Sequence, residues 1–286
     1  MDKTEMLRDT LKAIDRGYYV KDGKKIALKY GRDAHSEAVV FLPDEIERIK
    51  RAKVGTRTVM GRCSYICENT DSFSMALKMN AREAGFSRGE KKEVLVLNFA
   101  NPVNPGGGVR GGARAQEEDL CRCSTLLASL ESRDAAPYYE YNKILDYYTG
   151  SDAIIITPHV EIIKDRSGEP LDEPVAAAVI TCAAPIYSAV LCGMDKDEYR
   201  DMFYRRIDGM LKCAAYCGYS KLVLGAFGCG AFGNDAAEVS DMFYDVLKKF
   251  DYCGNRESDV FDCIAFAVLD RSDSQYNYNE FRRNFG

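Results

Sequence analysis

Two adjacent carboxylates, Glu117 and Glu118, stand at the end of a glycine-rich segment. The segment follows the apolar run EVLVLNF at residues 93–99, which predicts a buried central strand. Five of the seven residues from 106 to 112 are glycine. Glycine lets a backbone approach a ligand closely, and flexible connectors do not usually end in two acids at a predicted helix start. We therefore expect a ligand-binding loop here.

Paired carboxylates suit the cleavage of a glycosidic bond through a transition state that resembles an oxocarbenium ion. One acid can protonate the departing oxygen and also help to orient a water molecule. Such an acid needs a raised pKa, and neighbouring carboxylate and phosphate charges both act in that direction. The helix dipole alone would explain one acid at the helix start, but the run Gln116, Glu117, Glu118 exceeds that explanation.

A second glycine-rich loop, GAFGCGAFGN at residues 225–234, follows the apolar run KLVL and precedes a predicted helix. Its successive N–H groups are typical of a nest for an anion such as a diphosphate. Neither loop contains GK[ST] or the dinucleotide fingerprint, so the sequence supports neither a kinase nor a dehydrogenase. Because ligands in open α/β sheets bind beyond the carboxyl ends of strands, we expect both loops to hold one phosphate-containing ligand.

Apolar strands and amphipathic helices alternate along the chain. The predicted strands lie at residues 56–68, 93–99, 153–157, 175–181, 221–224 and 263–269, and the main predicted helices at residues 1–17, 72–84, 198–215 and 239–250 and from Gln116 onward. This order predicts a three-layer α/β/α fold with a parallel or mixed central sheet. No repeat or linker divides the chain, so we assign residues 1–55 to a helical extension packed on the core and residues 56–286 to a catalytic domain.

Composition is that of an ordinary globular protein, with 46% hydrophobic and 29% charged residues in 286. The net charge of −5 gives no general attraction to duplex nucleic acid or to anionic membranes. No run reaches the roughly 18 apolar residues that span a bilayer, and the polar start does not resemble a signal peptide. We therefore expect a cytoplasmic protein.

Eleven cysteines are scattered along the chain, and the two histidines, His35 and His159, are not at metal-ligand spacing from any of them. We expect most of these cysteines to be buried thiols, and we expect no metal.

The first loop carries a resemblance to a known family. Gly106, Gly107 and Gly108, a seven-residue spacer and then Gln116, Glu117 and Glu118 fully match the signature of the microbial-type poly(ADP-ribose) glycohydrolases, a divergent branch of the macrodomain superfamily. The segments NFANPVNP and GAFGCGAFGN also resemble the ribose and diphosphate loops of that family. The resemblance covers nearly the whole chain. It implies a macrodomain sheet flanked by helices and hydrolysis of the terminal ribose–ribose bond of poly(ADP-ribose), without a metal or a cofactor.

The resemblance also implies roles for individual residues. Glu118 would be the catalytic acid and Glu117 would bind ribose hydroxyls beside it. The substrate-binding residues carried over from the family are Asn104, Gly106, Gly107, Gly108 and Gln116 in the first loop and Gly228, Cys229, Gly230, Ala231 and Phe232 in the second. Among them, Asn104 and Phe232 are expected at the distal ribose.

The sequence leaves the roles of several other residues open. Arg110 and Arg114 either touch phosphate or face water, and residues 181–185 are expected to line the ligand through their backbone. Candidates near the adenine are Asn69, Asp71, Tyr276, Asn277 and Phe281, although aromatic residues at such spacing more often pack in the core.

Two other functions fit the same motifs. The natural substrate could be a protein side chain or another nucleotide conjugate that carries a single ADP-ribose. A non-catalytic ADP-ribose reader is less favoured, because binding alone does not require the Glu117–Glu118 pair.

Overall fold

The computed structural model describes residues 2–52, 63–83 and 93–286. Its strands are β1 (Tyr18–Lys21), β2 (Lys24–Ala27), β3 (Val39–Phe41), β4 (Ser64–Glu68), β5 (Leu95–Phe99), β6 (Ile154–Lys164), β7 (Pro170–Cys182), β8 (Lys221–Leu224) and β9 (Cys263–Ala267). Its helices are α1 (Lys3–Arg16), α2 (Arg32–His35), α3 (Pro43–Arg51), α4 (Ser72–Glu83), α5 (Gln116–Cys123), α6 (Leu126–Leu130), α7 (Ala136–Lys143), α8 (Ser188–Leu191), α9 (Lys196–Tyr216), α10 (Ala236–Lys248), α11 (Glu257–Val260) and α12 (Tyr276–Phe285).

Seven of these strands form one mixed sheet in the order β3-β6-β7-β5-β8-β9-β4. The five strands from β7 to β4 are parallel, whereas β6 runs antiparallel to β7 and β3 antiparallel to β6. Strands β1 and β2 form a separate hairpin. Because the carboxyl ends of parallel strands meet at one edge, the loops after β5 and β8 come together there.

The core lies on both faces of this sheet. Along β5, Leu95 and Leu97 point into one hydrophobic cluster with residues of α9, α10 and α12, while Val96 points into another with residues of α1, α4 and α5. Strands that are buried on both faces have continuous apolar sequences, and β5, β8 and β9 could be predicted from the sequence for this reason. The predicted three-layer α/β/α fold is confirmed.

The first 55 residues are more than a helical extension. Besides α1, α2 and α3 they contain three short strands, and β3 pairs with β6 through Val39 opposite Ile156. Met6 and Leu7 of α1 are buried in the core of the sheet face that carries α5. The division of the chain after residue 55 stays a prediction, but this segment supplies an edge strand and part of the core.

Other predicted elements agree with the structure to within a few residues, with two exceptions. Strand β6 continues seven residues beyond the strand predicted at residues 153–157, and β7 begins five residues before the one predicted at residues 175–181. The strand predicted at residues 56–68 lies partly outside the described residues, and its described part forms β4. The last residue of the helix predicted at residues 72–84 lies outside them as well. Four cysteines, Cys121, Cys123, Cys182 and Cys213, are buried, five are half-buried and two are exposed, so the prediction that most of them are buried is wrong. Within the described ranges, no helix is long and apolar enough to cross a membrane.

Candidate active site

Gln116 fixes the start of α5 against the end of β5. Its side-chain amide donates to the carbonyl oxygen of Leu97 at 2.7 Å and to the hydroxyl of Ser72 at 3.0 Å. Its amide oxygen accepts the Phe99 N–H at 2.9 Å. These bonds commit both amide hydrogens within the protein, so the observed role of Gln116 is to position the two glutamates that follow. A direct contact of Gln116 with substrate stays a prediction.

Glu117 is enclosed and hydrogen-bonded. It is 2% exposed, and its carboxylate accepts the Asn101 N–H at 2.8 Å and the side-chain amide of Asn98 at 3.2 Å. Burial, with a smaller contribution from the charge of Glu118, raises the pKa of Glu117 to about 8, even though the hydrogen bonds from Asn101 and Asn98 act to lower it. Glu117 is therefore largely protonated at neutral pH and can donate a hydrogen bond.

Glu118 has one oxygen held by the protein and one free. It is 6% exposed, and its Oε1 accepts the Gly108 N–H at 2.9 Å. Its Oε2 is buried and has no hydrogen-bond partner in the described part of the chain. Leaving a buried carboxylate oxygen without a partner is costly, and a catalytic role is one of the explanations for such an atom in a native protein. Oε2 is thus the atom through which Glu118 can act.

The first glycine loop wraps around these carboxylates. Gly107 has a φ of +58°, and a Cβ there would lie 2.6 Å from Oε1 of Glu118 and 3.0 Å from Oε2 of Glu117. A Cβ on Gly106 would lie 2.7 Å from Leu127. Glycine at both positions therefore lets the loop pack against α5 and α6 without displacing these side chains. Contact of the three glycines with a diphosphate stays a prediction.

A cavity of about 880 Å³ opens at the carboxyl ends of the strands and contains both glutamates in its lining. This volume lies in the range of about 300–1,000 Å³ that is typical of small-molecule sites. The predicted site residues that line it are Gln116, Glu117, Glu118, Gly228, Gly230, Ala231 and Phe232. Asn104, Cys229 and the glycines at 106, 107 and 108 flank the cavity without lining it.

The second glycine loop is held in shape by Asn234. This buried amide donates to the carbonyl oxygens of Pro185 at 2.9 Å and Gly228 at 3.0 Å. Gly228 has a φ of +75°, and a Cβ on it would lie 2.6 Å from the Cβ of Ala184. Gly230, by contrast, has nothing within 4 Å of the corresponding position. The loop is therefore rigid at Gly228 and open at Gly230, where a ligand can approach its backbone.

The two arginines of the spacer have different surroundings. Arg110 forms an ion pair with Glu131, in which its Nη2 donates to the two carboxylate oxygens at 2.7 and 2.8 Å, and its side chain faces solvent. Arg114 lines the cavity.

Only some of the residues that were candidates for the adenine site line the cavity. Asp71 and Asn277 line the cavity. Asn69 instead makes two hydrogen bonds of 2.9 Å with the backbone of Asp270. Phe281 is fully buried in the core, so it does not cover a base, and the hydroxyl of Tyr276 donates to Asp235 at 2.9 Å.

Sequence reasoning missed four residues of this site. Asn98 and Asn101 hold Glu117, and both stand in the segment NFANPVNP, which resembles a ribose loop. Tyr147 and Tyr148 line the cavity from a polar loop that carries no motif. Only the long-range contacts of that loop place them in the site.

This chain resembles known proteins in both sequence and structure. The model of the family described as "Microbial-type PARG, catalytic domain" matches residues 8–165. The poly(ADP-ribose) glycohydrolase of Thermomonospora curvata is similar with a TM-score of 0.87 and 28% identity over 99% of both chains. The same enzyme bound to the inhibitor ADP-HPD gives a TM-score of 0.85 at 28% identity over 99% of both chains.

A third similar structure is the poly(ADP-ribose) glycohydrolase of Deinococcus radiodurans in complex with ADP-ribose. It has a TM-score of 0.77 and 31% identity, over 89% of this chain and 96% of that one. No curated protein sequence matches this chain significantly.

Proposed function

Because this chain belongs to the microbial-type poly(ADP-ribose) glycohydrolase family, we propose that it hydrolyses the terminal ribose–ribose bond of poly(ADP-ribose) and releases ADP-ribose. The observation that carries the proposal is the free, buried Oε2 of Glu118 in the lining of the cavity. Similar enzymes bind ADP-ribose and ADP-HPD, which supports a cavity made for the ADP-ribose unit.

The reaction proposed for Glu118 consumes only the polymer and one water molecule. Its protonated carboxyl gives its proton to the ribose oxygen of the leaving unit as the bond from that oxygen to the anomeric carbon breaks. A water molecule then adds its oxygen to the anomeric carbon and returns a proton to the Glu118 carboxylate. The negative charge left on Glu118 after the first step stabilises the positive ring of the transition state.

Glu117 acts on the same sugar in a different way. Since its raised pKa keeps it protonated, it can donate to a ribose hydroxyl while Asn98 and Asn101 hold it in place. We propose that Glu117 binds and orients the ribose whose bond is broken. The Gly230 backbone lies open to the cavity and suits the diphosphate of the same unit.

The test measures free ADP-ribose released from poly(ADP-ribose) and from a panel of proteins carrying single ADP-ribose groups. We expect Glu118→Gln to lower turnover of the polymer by about two orders of magnitude or more. The affinity for ADP-ribose and the thermal stability should stay close to wild type, because amide and carboxyl have the same shape. Glu198→Gln, on the exposed side of α9, is the matched control and should leave turnover unchanged.

Each of the other outcomes would change the proposed function or the role of Glu118. Turnover near wild type in Glu118→Gln would reject Glu118 as the acid. Release from a singly modified protein alone would keep the site but change the substrate. Binding of ADP-ribose without release from any substrate would identify a reader and reject the hydrolase.

A further inference from the structure

Two tyrosines form a half-exposed aromatic surface in the wall of the cavity. Tyr147 and Tyr148 lie between α7 and β6 and are 45% and 40% exposed. Their ring centroids are 6.1 Å apart with an interplanar angle of 67°. Within the described residues, neither phenol hydroxyl makes a hydrogen bond. Such rings leave a large apolar area in water unless a ligand covers it, and they contribute little to the core.

The loop that carries the two tyrosines is fixed from below by Arg206. This buried guanidinium donates to the carbonyl oxygens of Thr149 and of Ala183, the latter at 2.8 Å. It also forms an ion pair of 3.0 Å with Asp152. A buried arginine whose donors meet two loop carbonyls holds the residues before β6 against the end of β7.

Further hydrogen bonds hold the backbone of Tyr148. The Asp146 carboxylate accepts the Tyr148 N–H at 2.8 Å, and the Tyr148 carbonyl accepts the Ile186 N–H at 2.8 Å. The backbone that carries the two rings is therefore held in place by the protein itself. A preformed surface of this kind loses little conformational entropy on binding.

The contacts of this loop place the tyrosines at the catalytic end of the cavity. On one side, a Cβ on Gly150 would lie 3.6 Å from Pro102 at the start of the first glycine loop. On the other side, Ile186 donates its N–H to the Tyr148 carbonyl. The next residue, Tyr187, donates its N–H to the carbonyl oxygen of Phe232 in the second loop at 2.9 Å. The opposite end of the cavity is formed by residues after β4 and β9 and at the start of α12.

We propose that Tyr147 and Tyr148 bind the adenine of the ADP-ribose unit on the leaving side of the broken bond. The inference rests on the proposed function, since that function supplies a second nucleotide on this side. A purine has a flat face that stacks on tyrosine, whereas serine, aspartate or glutamate as a leaving group has none. The pair thus gives the site a preference for polymer ends over single ADP-ribose groups on proteins.

The test compares the affinities for ADP-ribose and for its dimer joined by the ribose–ribose bond. Both are measured by calorimetry in the Glu118→Gln background, so that the dimer is not hydrolysed. We expect the dimer to bind more tightly than the monomer, and the Tyr147→Ala, Tyr148→Ala double variant to lose about tenfold of that advantage. Replacing both tyrosines by Phe should preserve the advantage, because the rings and not the hydroxyls make the contact.

Tyr216→Ala is the control, since Tyr216 on α9 is 46% exposed and does not line the cavity. An unchanged dimer advantage in the double Ala variant overturns the inference. Equal weakening of monomer and dimer also overturns it, because the tyrosines would then bind the terminal unit. Failure of the wild type to hydrolyse the polymer rejects the proposed function instead, and the affinity ratio still reports separately on the tyrosines.

Discussion

Glu117 and Glu118 are neighbours in one helical turn, yet their surroundings give them different chemistry. Glu117 receives two hydrogen bonds and is kept protonated by burial, whereas Glu118 receives one and keeps an oxygen free. Two carboxyl groups whose environments differ in this way can divide binding and proton transfer between them. The difference comes from the residues around α5 and not from the glutamates themselves.

The raised pKa of Glu117 predicts a specific dependence of stability on pH. Its pKa is 4.5 in the unfolded reference and about 8 in the folded chain, so between these values the folded state holds one more proton. The free energy of unfolding must then fall as pH rises through this window, by up to about 1.4 kcal/mol per pH unit from this group. Glu117→Gln removes the titration and should flatten that part of the profile.

Urea denaturation at about pH 5 and about pH 8 measures this difference between wild type and Glu117→Gln. Glu198→Gln, an exposed change of the same kind, should keep the wild-type slope. Parallel profiles for wild type and Glu117→Gln would contradict the assigned protonation of Glu117.

At the scale of elements, the first glycine loop and α5 work as one unit, and Gly107 shows why. A Cβ at this position meets the end of the Glu118 side chain at 2.6 Å, and that end can move aside. Gly107→Ala should therefore cost little stability beyond that of its positive φ but should displace the Glu118 carboxylate, the proposed acid. Because a misplacement of about 1 Å can cost about a hundredfold in rate, we expect turnover to fall by at least tenfold.

Gly111→Ala is the matched control in the same loop, because nothing lies within 4 Å of its Cβ position. Turnover and melting temperature of both variants give the comparison. Equal activity of Gly107→Ala and Gly111→Ala would show that the loop does not position Glu118.

The elements also show which parts of the site the sequence could predict. Local patterns were enough for β5, for the start of α5 and for the carboxylate pair, because burial on two faces and glycine-rich spacing leave a local signal. The last part of β6 was missed because it contains buried charge. Glu161 there is fully buried and bonds His35 at 2.7 Å, a partner 126 residues away that no local pattern identifies.

Tyr147 and Tyr148 were missed for a similar reason. Their place depends on Arg206, which is distant in the sequence and whose burial no composition predicts. Strand β3 has only three residues, too few for a reliable alternation of polar and apolar positions. What could not be predicted thus consists of contacts between distant segments.

At the scale of the whole molecule, α1 connects the amino-terminal segment to α5, the helix that carries Glu117 and Glu118. The Thr10 hydroxyl donates to the Arg122 carbonyl of α5 at 2.5 Å and accepts from Lys164 of β6 at 3.0 Å. Lys164 is buried and forms an ion pair of 2.7 Å with Asp9. The position of α5 therefore depends on residues that the sequence assigned to an extension.

This dependence predicts that a chain lacking residues 1–17 loses both stability and activity. The deletion removes Met6 from the core and leaves the buried Lys164 without the Asp9 carboxylate. An unpaired buried charge is strongly destabilising. Since the melting temperature of a chain this long falls by roughly 2 °C per kcal/mol, we expect a decrease of at least about 5 °C. Release of ADP-ribose from the polymer should fall with it, even at temperatures where the shortened chain is folded.

Arg8→Ala, on the exposed side of α1, is the control and should change neither the melting temperature nor the release of ADP-ribose. A shortened chain that melts and turns over like wild type would instead show that residues 1–17 are dispensable and that α5 is positioned by the rest of the fold.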